Sequence, residues 1–200
     1  GLSIVDLGEE KLLSQTPTFG YPRDLYLVDD LAYVLVSYAQ DVSFEEGSFR
    51  VQYGSKLYVF NVADPTQVVR QGVFNFDGDL VDSRLVGSVL YAVCSDYSWY
   101  EGYGEGAVID TAAAEKSYGA TWAISVNIAD PEAVRIVDTV QFEGYGNLIQ
   151  ATNYAIFSVT NDYSMNDSAI TYIDIEDPEG DMIVRATVTA PGYMADRFKM

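Results

Sequence analysis

Short strand patterns, separated by turn residues and repeated along the chain, constrain the fold more than any other feature of this sequence. In residues 56–97, apolar and polar residues alternate in four runs, at 57–62, 68–76, 80–86 and 89–94. Turn-forming residues separate these runs, at Asp64-Pro65, Gly78 and Gly87. Alternation with a period of two is typical of half-buried β-strands. The segment therefore predicts four strands joined by tight turns.

The same order of runs and turns recurs, with units starting near residues 1, 56, 121 and 170. An Asp-Pro turn follows the first run at 64–65, 130–131 and 177–178. Four strands in each repeat are the signature of propeller blades, which bury their faces against one another around an axis. We therefore predict an all-β fold, a β-propeller with four-stranded antiparallel blades. Residues 1–200 would form a single propeller region, a partial propeller of about 3–4 blades.

Three segments carry a more detailed motif, an alternating strand that ends in Asp-Pro and is followed by a glycine turn. They are 59–65 with Gly78, Arg84 and Tyr91, then 125–131, and 173–178 with Gly192. These units resemble the secreted bacterial and archaeal β-propellers that are distantly related to WD40 repeats. The resemblance implies that the run after each glycine turn lines the central axis and that the run after Asp-Pro is outermost. The axial runs would be 21–28, 80–87, 147–152 and 193–198.

The charge of the chain excludes several classes of partner. The formal net charge is −19 and the pI is about 4.1, which is unfavourable for nucleic acid because phosphate backbones attract Lys and Arg. Nothing in the sequence is apolar over the roughly 18 residues of a membrane-spanning helix.

The acidity and the resemblance together indicate a secreted, cell-surface or periplasmic protein. We also expect the chain to be part of a longer propeller.

Several catalytic chemistries are excluded by residue type. The sequence contains no histidine, which removes Ser-His-Asp and Cys-His catalysis and the usual histidine zinc sites. The single cysteine, Cys94, lies in an apolar run and is expected to be a buried thiol. An enzyme built on this chain would have to use carboxylates alone, as glycosidases do.

Three segments interrupt the repeat, at 38–55, 95–120 and 162–169. Each falls after the fourth run of one unit and before the first run of the next. Insertions at one position of a repeat project from one face of the assembly, which is often the binding face.

The second insertion contains a cluster of aromatic residues among acids, Tyr97, Trp99, Tyr100 and Tyr103. Exposed aromatic rings suit a surface that stacks on a sugar or forms a protein-binding hot spot. The alternative is a loop that folds over its own aromatic side chains.

Acidic residues stand at one position in three of the axial runs. Asp24, Asp82 and Asp196 each lie four residues after a turn glycine, so they would form a ring around the channel. Carboxylates in a ring suit Ca²⁺, the one cofactor that this chemistry would favour. The alternative is pairing with neighbouring arginines, which include Arg84 and Arg197, because buried charges are normally paired.

The third insertion is rich in oxygen ligands, with Asp162, Asn166 and Asp167 close together. Such residues suit a metal site, but the glycine and the closing glutamate of an EF-hand loop are missing. The alternative is a turn stabilised by Asn and Asp side chains.

Three functions are compatible with these observations. The first is a non-catalytic extracytoplasmic binding or scaffold module that presents its insertions to a protein or glycan. The second is a carboxylate-based glycan-active enzyme that uses the channel. The third is structural calcium binding, which is compatible with either of the others.

Overall fold

The computed structural model describes residues 1–45, 48–76, 78–95, 120–131, 133–143, 145–162 and 166–194. Throughout these residues the secondary structure is β, and all the strand pairs are antiparallel. The prediction of an all-β fold with four-stranded sheets is confirmed. No helix in this part of the chain has the length and apolar character needed to cross a bilayer.

The strands form one two-stranded sheet and three four-stranded sheets. The small sheet contains β1 (Leu2–Asp6) and β2 (Lys11–Thr16). The second sheet contains β3 (Tyr21–Val28), β4 (Leu31–Glu45), β5 (Ser48–Asn61) and β6 (Val69–Phe76). The third contains β7 (Asp79–Val86), β8 (Val89–Ser95), β9 (Ala120–Asn127) and β10 (Arg135–Glu143). The fourth contains β11 (Tyr145–Ala151), β12 (Ala155–Asp162), β13 (Asp167–Asp174) and β14 (Ile183–Pro191).

Within each four-stranded sheet, the strands are neighbours in the order of the sequence. The run that follows a glycine turn occupies one edge, and the run that follows Asp-Pro occupies the other edge. This is the order within a blade that the resemblance to known propellers implies. Each sheet therefore takes its first two strands from one sequence repeat and its last two from the next repeat, so that consecutive repeats are linked by shared sheets.

The end of β1 and the end of the third strand in each four-stranded sheet have a shared turn, which the Asp-Pro motif only partly indicates. A side-chain oxygen of Asp6, Asn61, Asn127 or Asp174 accepts a hydrogen bond from the backbone N–H two residues later, at 2.8–3.0 Å. Asn and Asp favour turns because they can make this local bond. The same side-chain hydrogen bond thus follows the first strand of each of the four sequence repeats.

The chain divides into two compact units, and the first contains residues 1–80 and 130–134. Its core lies on β4 and β5, where Val34, Val36, Tyr58 and Phe60 are buried and Leu2 of β1 packs against them. Ser14 Oγ of β2 donates to the carbonyl oxygen of Pro65, at 2.6 Å. The two-stranded sheet is therefore fixed on the β3–β6 sheet by both apolar and polar contacts.

The second unit contains residues 81–129 and 135–200. In its core, Val89, Tyr91 and Val93 of β8 pack with Ile149 of β11 and Ile156 of β12. The cluster joins two four-stranded sheets. Such burial of apolar faces between neighbouring sheets is the main source of stability in repeat folds.

Candidate functional site

The aromatic side chains with the clearest site geometry lie at the base of the β4–β5 hairpin. Both strands continue through most of the segment at 38–55, and the pairing runs from Ala39 and Gly54 to Glu45 and Ser48. The sequence pattern treats this segment as an insertion, and the structure forms it as a two-stranded extension of the sheet.

A β-bulge separates this extension from the rest of the sheet, between Val36 and Ala39. Within the bulge, Tyr38 has a φ of 51°, which is unusual for a residue with a large side chain. Bulges bend a strand and turn a side chain away from its regular direction. Here Tyr38 is 49% exposed between the buried residues Ser37 and Ala39, so the bulge supplies an exposed ring at the edge of the core.

Tyr38 lines a cleft of about 380 Å³, together with Phe19, Gly20, Tyr21 and Gln40. Tyr21 begins β3 and is 69% exposed, and its ring meets that of Tyr38 edge to face, with 5.9 Å between the centroids. The Nε2 of Gln40 donates to the hydroxyl of Tyr53, at 3.4 Å. The cleft thus combines exposed aromatic rings with a side-chain amide, a combination common in ligand sites.

The loop that carries Phe19 is held by hydrogen bonds to the core. The backbone N–H of Phe19 donates to the hydroxyl of Tyr58 (3.3 Å), and the hydroxyl donates to the carbonyl oxygen of Phe19 (3.4 Å). Next to it, Gly20 has a φ of 113°, and a Cβ there would lie 2.7 Å from the carbonyl oxygen of Ser37. Only glycine allows the loop to pass so close to β4. Phe19 and Tyr21 are therefore presented from a fixed backbone.

Asp79, at the start of β7, places a carboxyl group beside Tyr38. Burial raises the pKa of this carboxyl group, while the charge of Arg23 and hydrogen bonds from the backbone and hydroxyl of Tyr38 act in the opposite direction. The Oδ1 of Asp79 is buried and has no hydrogen-bond partner among the described residues. Arg23 in turn donates from Nε to Ser37 Oγ, at 2.8 Å. These contacts link the charged groups to the bulge that carries Tyr38.

Comparison with known families supports the fold from an independent direction. The family model described as Beta propeller domain matches residues 1–116, which is more than half of the 200 residues. The chain belongs to the β-propeller family. No curated protein matches it. The match covers residues 1–80 of the first unit, including every residue of the aromatic cleft.

One of the acidic positions predicted for the propeller channel, Asp82, has a local partner. Asp82 of β7 is nearly buried and forms an ion pair with Arg84, with 2.7 Å between Oδ1 and Nη1. Arg84 also donates to the carbonyl oxygens of Ser83 and Ile149. Pairing with arginine, the alternative to a cation site, is therefore observed at Asp82.

The ring predicted for the channel cannot be traced through the described residues. Asp24 lies in β3 of the first unit, whereas Asp82 lies in the second unit. Asp196 and Arg197 lie outside the described residues. The ring of three carboxylates stays a prediction.

The residues predicted to bind a metal lie at the end of β12 and the start of β13. Asp162 ends β12 and pairs in the sheet with Asp167, which begins β13. Asn166 has a φ of 57°, and its carbonyl oxygen accepts the backbone N–H of Gly192, at 2.8 Å. Within the described ranges, no group of three acidic, Cys or His side chains is placed to hold a metal ion.

Sequence reasoning places the aromatic site in another insertion. Tyr97, Trp99, Tyr100 and Tyr103 lie outside the described residues, and their role stays a prediction. The cleft residues carry a weak signal in the sequence, since Phe19-Gly20-Tyr21 places two aromatic residues around a turn glycine. The left-handed backbone of Tyr38 has no such signal, because it depends on the register between β4 and β5.

Proposed function

We propose that this propeller is a non-catalytic binding or scaffold module that acts outside the cytoplasm and presents loops and hairpins to a protein or glycan partner. The observation that carries this proposal is the cleft of Phe19, Tyr21, Tyr38 and Gln40, whose exposed rings are fixed by the bulge and the glycine turn. Large exposed aromatic side chains on a rigid frame are typical of binding hot spots.

The topology of the sheets supports the same function. The β4–β5 hairpin connects the second and third strands of its sheet, and the segments 96–119 and 163–166 connect the same strands of the other two sheets. Connecting segments on a rigid scaffold commonly carry binding residues. All three segments that interrupt the repeat are therefore placed where a propeller could vary its recognition surface without changing its core.

A carboxylate-based enzyme is supported less well by the described residues. A general acid or base must be able to exchange a proton with the substrate. At Asp82 both carboxylate oxygens accept hydrogen bonds from Arg84, at 2.7 and 3.1 Å, which favours the ionised carboxylate and a structural role.

The proposal is tested by comparing three proteins on one panel of immobilised glycans and peptides. In the first variant, residues 42–51 are replaced by Asn-Gly, which closes the hairpin after the pair of Asp41 and Gln52 with a turn suited to two-residue loops. In the second, Tyr21 and Tyr38 are both replaced by leucine. The wild type is the third protein.

We expect the wild type to bind a defined subset of the panel and at least one variant to lose that binding while it keeps its melting temperature. The same binding profile for all three proteins would contradict the proposal. Turnover of any panel glycan by the wild type, abolished by Asp82→Asn, would support the enzymatic alternative instead.

A further inference from the structure

The rings of Tyr21 and Tyr38 form a corner. Their planes meet at 86° and their centroids are 5.9 Å apart, so the face of one ring and the face of the other border the same space. A cation is attracted to the face of an aromatic ring when it lies within about 6 Å of the centroid. One cation in this corner would be within range of both rings.

The charges of the chain favour a cationic occupant. The formal net charge is −19, and a strongly negative protein attracts positively charged partners over a distance. Close to the corner, the carboxyl group of Asp79 interacts with Tyr38 and with Arg23. Asp79 and Arg23 are of opposite charge type, so the preference for a cation is inferred from the net charge of the chain.

The shape and the polar groups of the cleft favour a guanidinium. The volume of about 380 Å³ lies near the lower end of ligand sites, roughly 300–1,000 Å³, which suits one side chain better than a large ligand. Arginine stacks on aromatic faces and is more weakly hydrated than lysine. Gln40 donates from Nε2 to Tyr53, which leaves its amide oxygen as an acceptor for a guanidinium N–H.

We propose that the cleft holds the side chain of an arginine from a basic segment of a partner protein, with its guanidinium in the corner of Tyr21 and Tyr38. The proposal rests on the proposed binding function and names the chemistry of the partner. A neutral glycan would use the same rings, but it would gain nothing from the negative charge of the chain.

The test compares two acetylated peptides by titration calorimetry with the whole chain. One is a Gly/Ser peptide with two arginines, and the other carries citrulline in their place, which has nearly the same shape and no charge. We expect the arginine peptide to bind tighter by about two- to thirtyfold, the range given by cation–π contacts. Equal affinities, or no binding of either peptide, would overturn the proposal.

Variants separate the aromatic corner from general attraction between opposite charges. Tyr21→Leu and Tyr38→Leu should each remove the preference for arginine. Tyr38→Phe should keep it, because the ring remains although the hydroxyl group is lost. Tyr154 is similarly exposed, at 64%, and lies in the other unit, so Tyr154→Leu is the matched control and should behave like the wild type.

If Tyr21→Leu remains folded and still prefers arginine, the attraction is not located in the corner and the proposal is wrong. The conservative Tyr38→Phe variant keeps the test decisive if Tyr38→Leu does not fold. Binding of a panel glycan at the cleft without binding of the arginine peptide would overturn this inference and leave the proposed function intact. Failure of every ligand would overturn both.

Discussion

Replacing Arg84 by methionine tests whether the acidic position in β7 is a structural ion pair. Arg84 is 21% exposed and Asp82 10% exposed in their side chains, so the pair is largely removed from water. The guanidinium gives Asp82 two hydrogen bonds and gives another to the carbonyl oxygen of Ile149 in β11. The Arg84→Met substitution removes the positive charge and retains much of the apolar volume.

The expected cost follows from what the substitution leaves behind. Removing one partner of a buried ion pair costs about 3–5 kcal/mol, because the other charge stays buried and unpaired. Asp82 keeps a hydrogen bond from the N–H of Ser83, and the partial exposure of Arg84 lets water approach. We therefore expect Arg84→Met to lower the free energy of unfolding by about 2–4 kcal/mol. The double variant with Asp82→Asn should recover most of this loss.

Urea denaturation of the single and double variants measures these free energies, with an unchanged m-value as the check that the unfolding transition is comparable. A loss below about 0.5 kcal/mol for Arg84→Met, the size of an ordinary surface substitution, would refute the ion-pair account. Recovery of the single variant by added Ca²⁺ would indicate instead that Asp82 can hold a cation.

Four further predictions test other parts of the structure. Gly20→Ala and Gly87→Ala each place a Cβ on a backbone with positive φ, which costs about 1–2 kcal/mol. Gly20→Ala should cost about 1–3 kcal/mol more, because its Cβ would also collide with the backbone of Ser37, whereas Gly87 meets nothing within 4 Å; equal losses in urea denaturation would contradict this reasoning. Asn61→Ala should cost about 0.5–1.5 kcal/mol through its lost turn hydrogen bond, and unchanged stability would show that the turn does not need it. Burial raises the pKa of Tyr91 to about 12, so the unfolded chain releases this proton first and the stability should fall between pH 10 and pH 12, by up to about 1.4 kcal/mol per pH unit; Tyr91→Phe should reduce that slope, and an identical slope would contradict the assignment. Melting temperatures in Ca²⁺ and in a chelator should coincide, whereas a rise of several degrees with Ca²⁺ would indicate a metal site linked to folding.

The fold could be predicted because the same pattern of alternating strands and turn residues recurs several times along the chain. The glycine turn before β7 and the Asp64-Pro65 turn before β6 each precede an edge strand of a different sheet, as the resemblance to known propellers implies. Asn61 ends the third strand of its sheet, and its side-chain oxygen accepts a hydrogen bond from the backbone of the turn that follows. Such features depend on neighbouring residues and can be read from the sequence.

The cleft could not be predicted in the same way, because it depends on pairing between distant segments. The bulge at Tyr38 arises from the register of β4 against β5, and the position of Phe19 depends on Tyr58, 39 residues away in sequence. For Asp82 the sequence leaves two alternatives open, a cation site or pairing with Arg84, which is only two residues distant. Sequence patterns predict such features poorly when they depend on contacts between residues that only the tertiary structure brings together.

The bulge also relates stability to function in this propeller. A non-glycine residue with a positive φ carries a conformational cost of about 1–3 kcal/mol, and such residues are enriched at binding sites. Here the cost is offset by the buried strands on either side of Tyr38, where Val36, Ser37 and Ala39 are almost inaccessible to water. The fold can therefore hold an exposed aromatic ring in one orientation, which lowers the entropy lost on binding.

The most direct test of the binding account is an NMR map of tyrosine ring signals, recorded on the chain with labelled tyrosine while the tightest ligand from the panel is added. The chain has 16 tyrosines, so the map reports on many parts of its surface. The account predicts that the largest shifts occur at Tyr21, Tyr38 and Tyr53, with Tyr154 unchanged. Shifts at Tyr154 that equal those in the cleft, or a ligand that leaves the cleft signals in place, would contradict it.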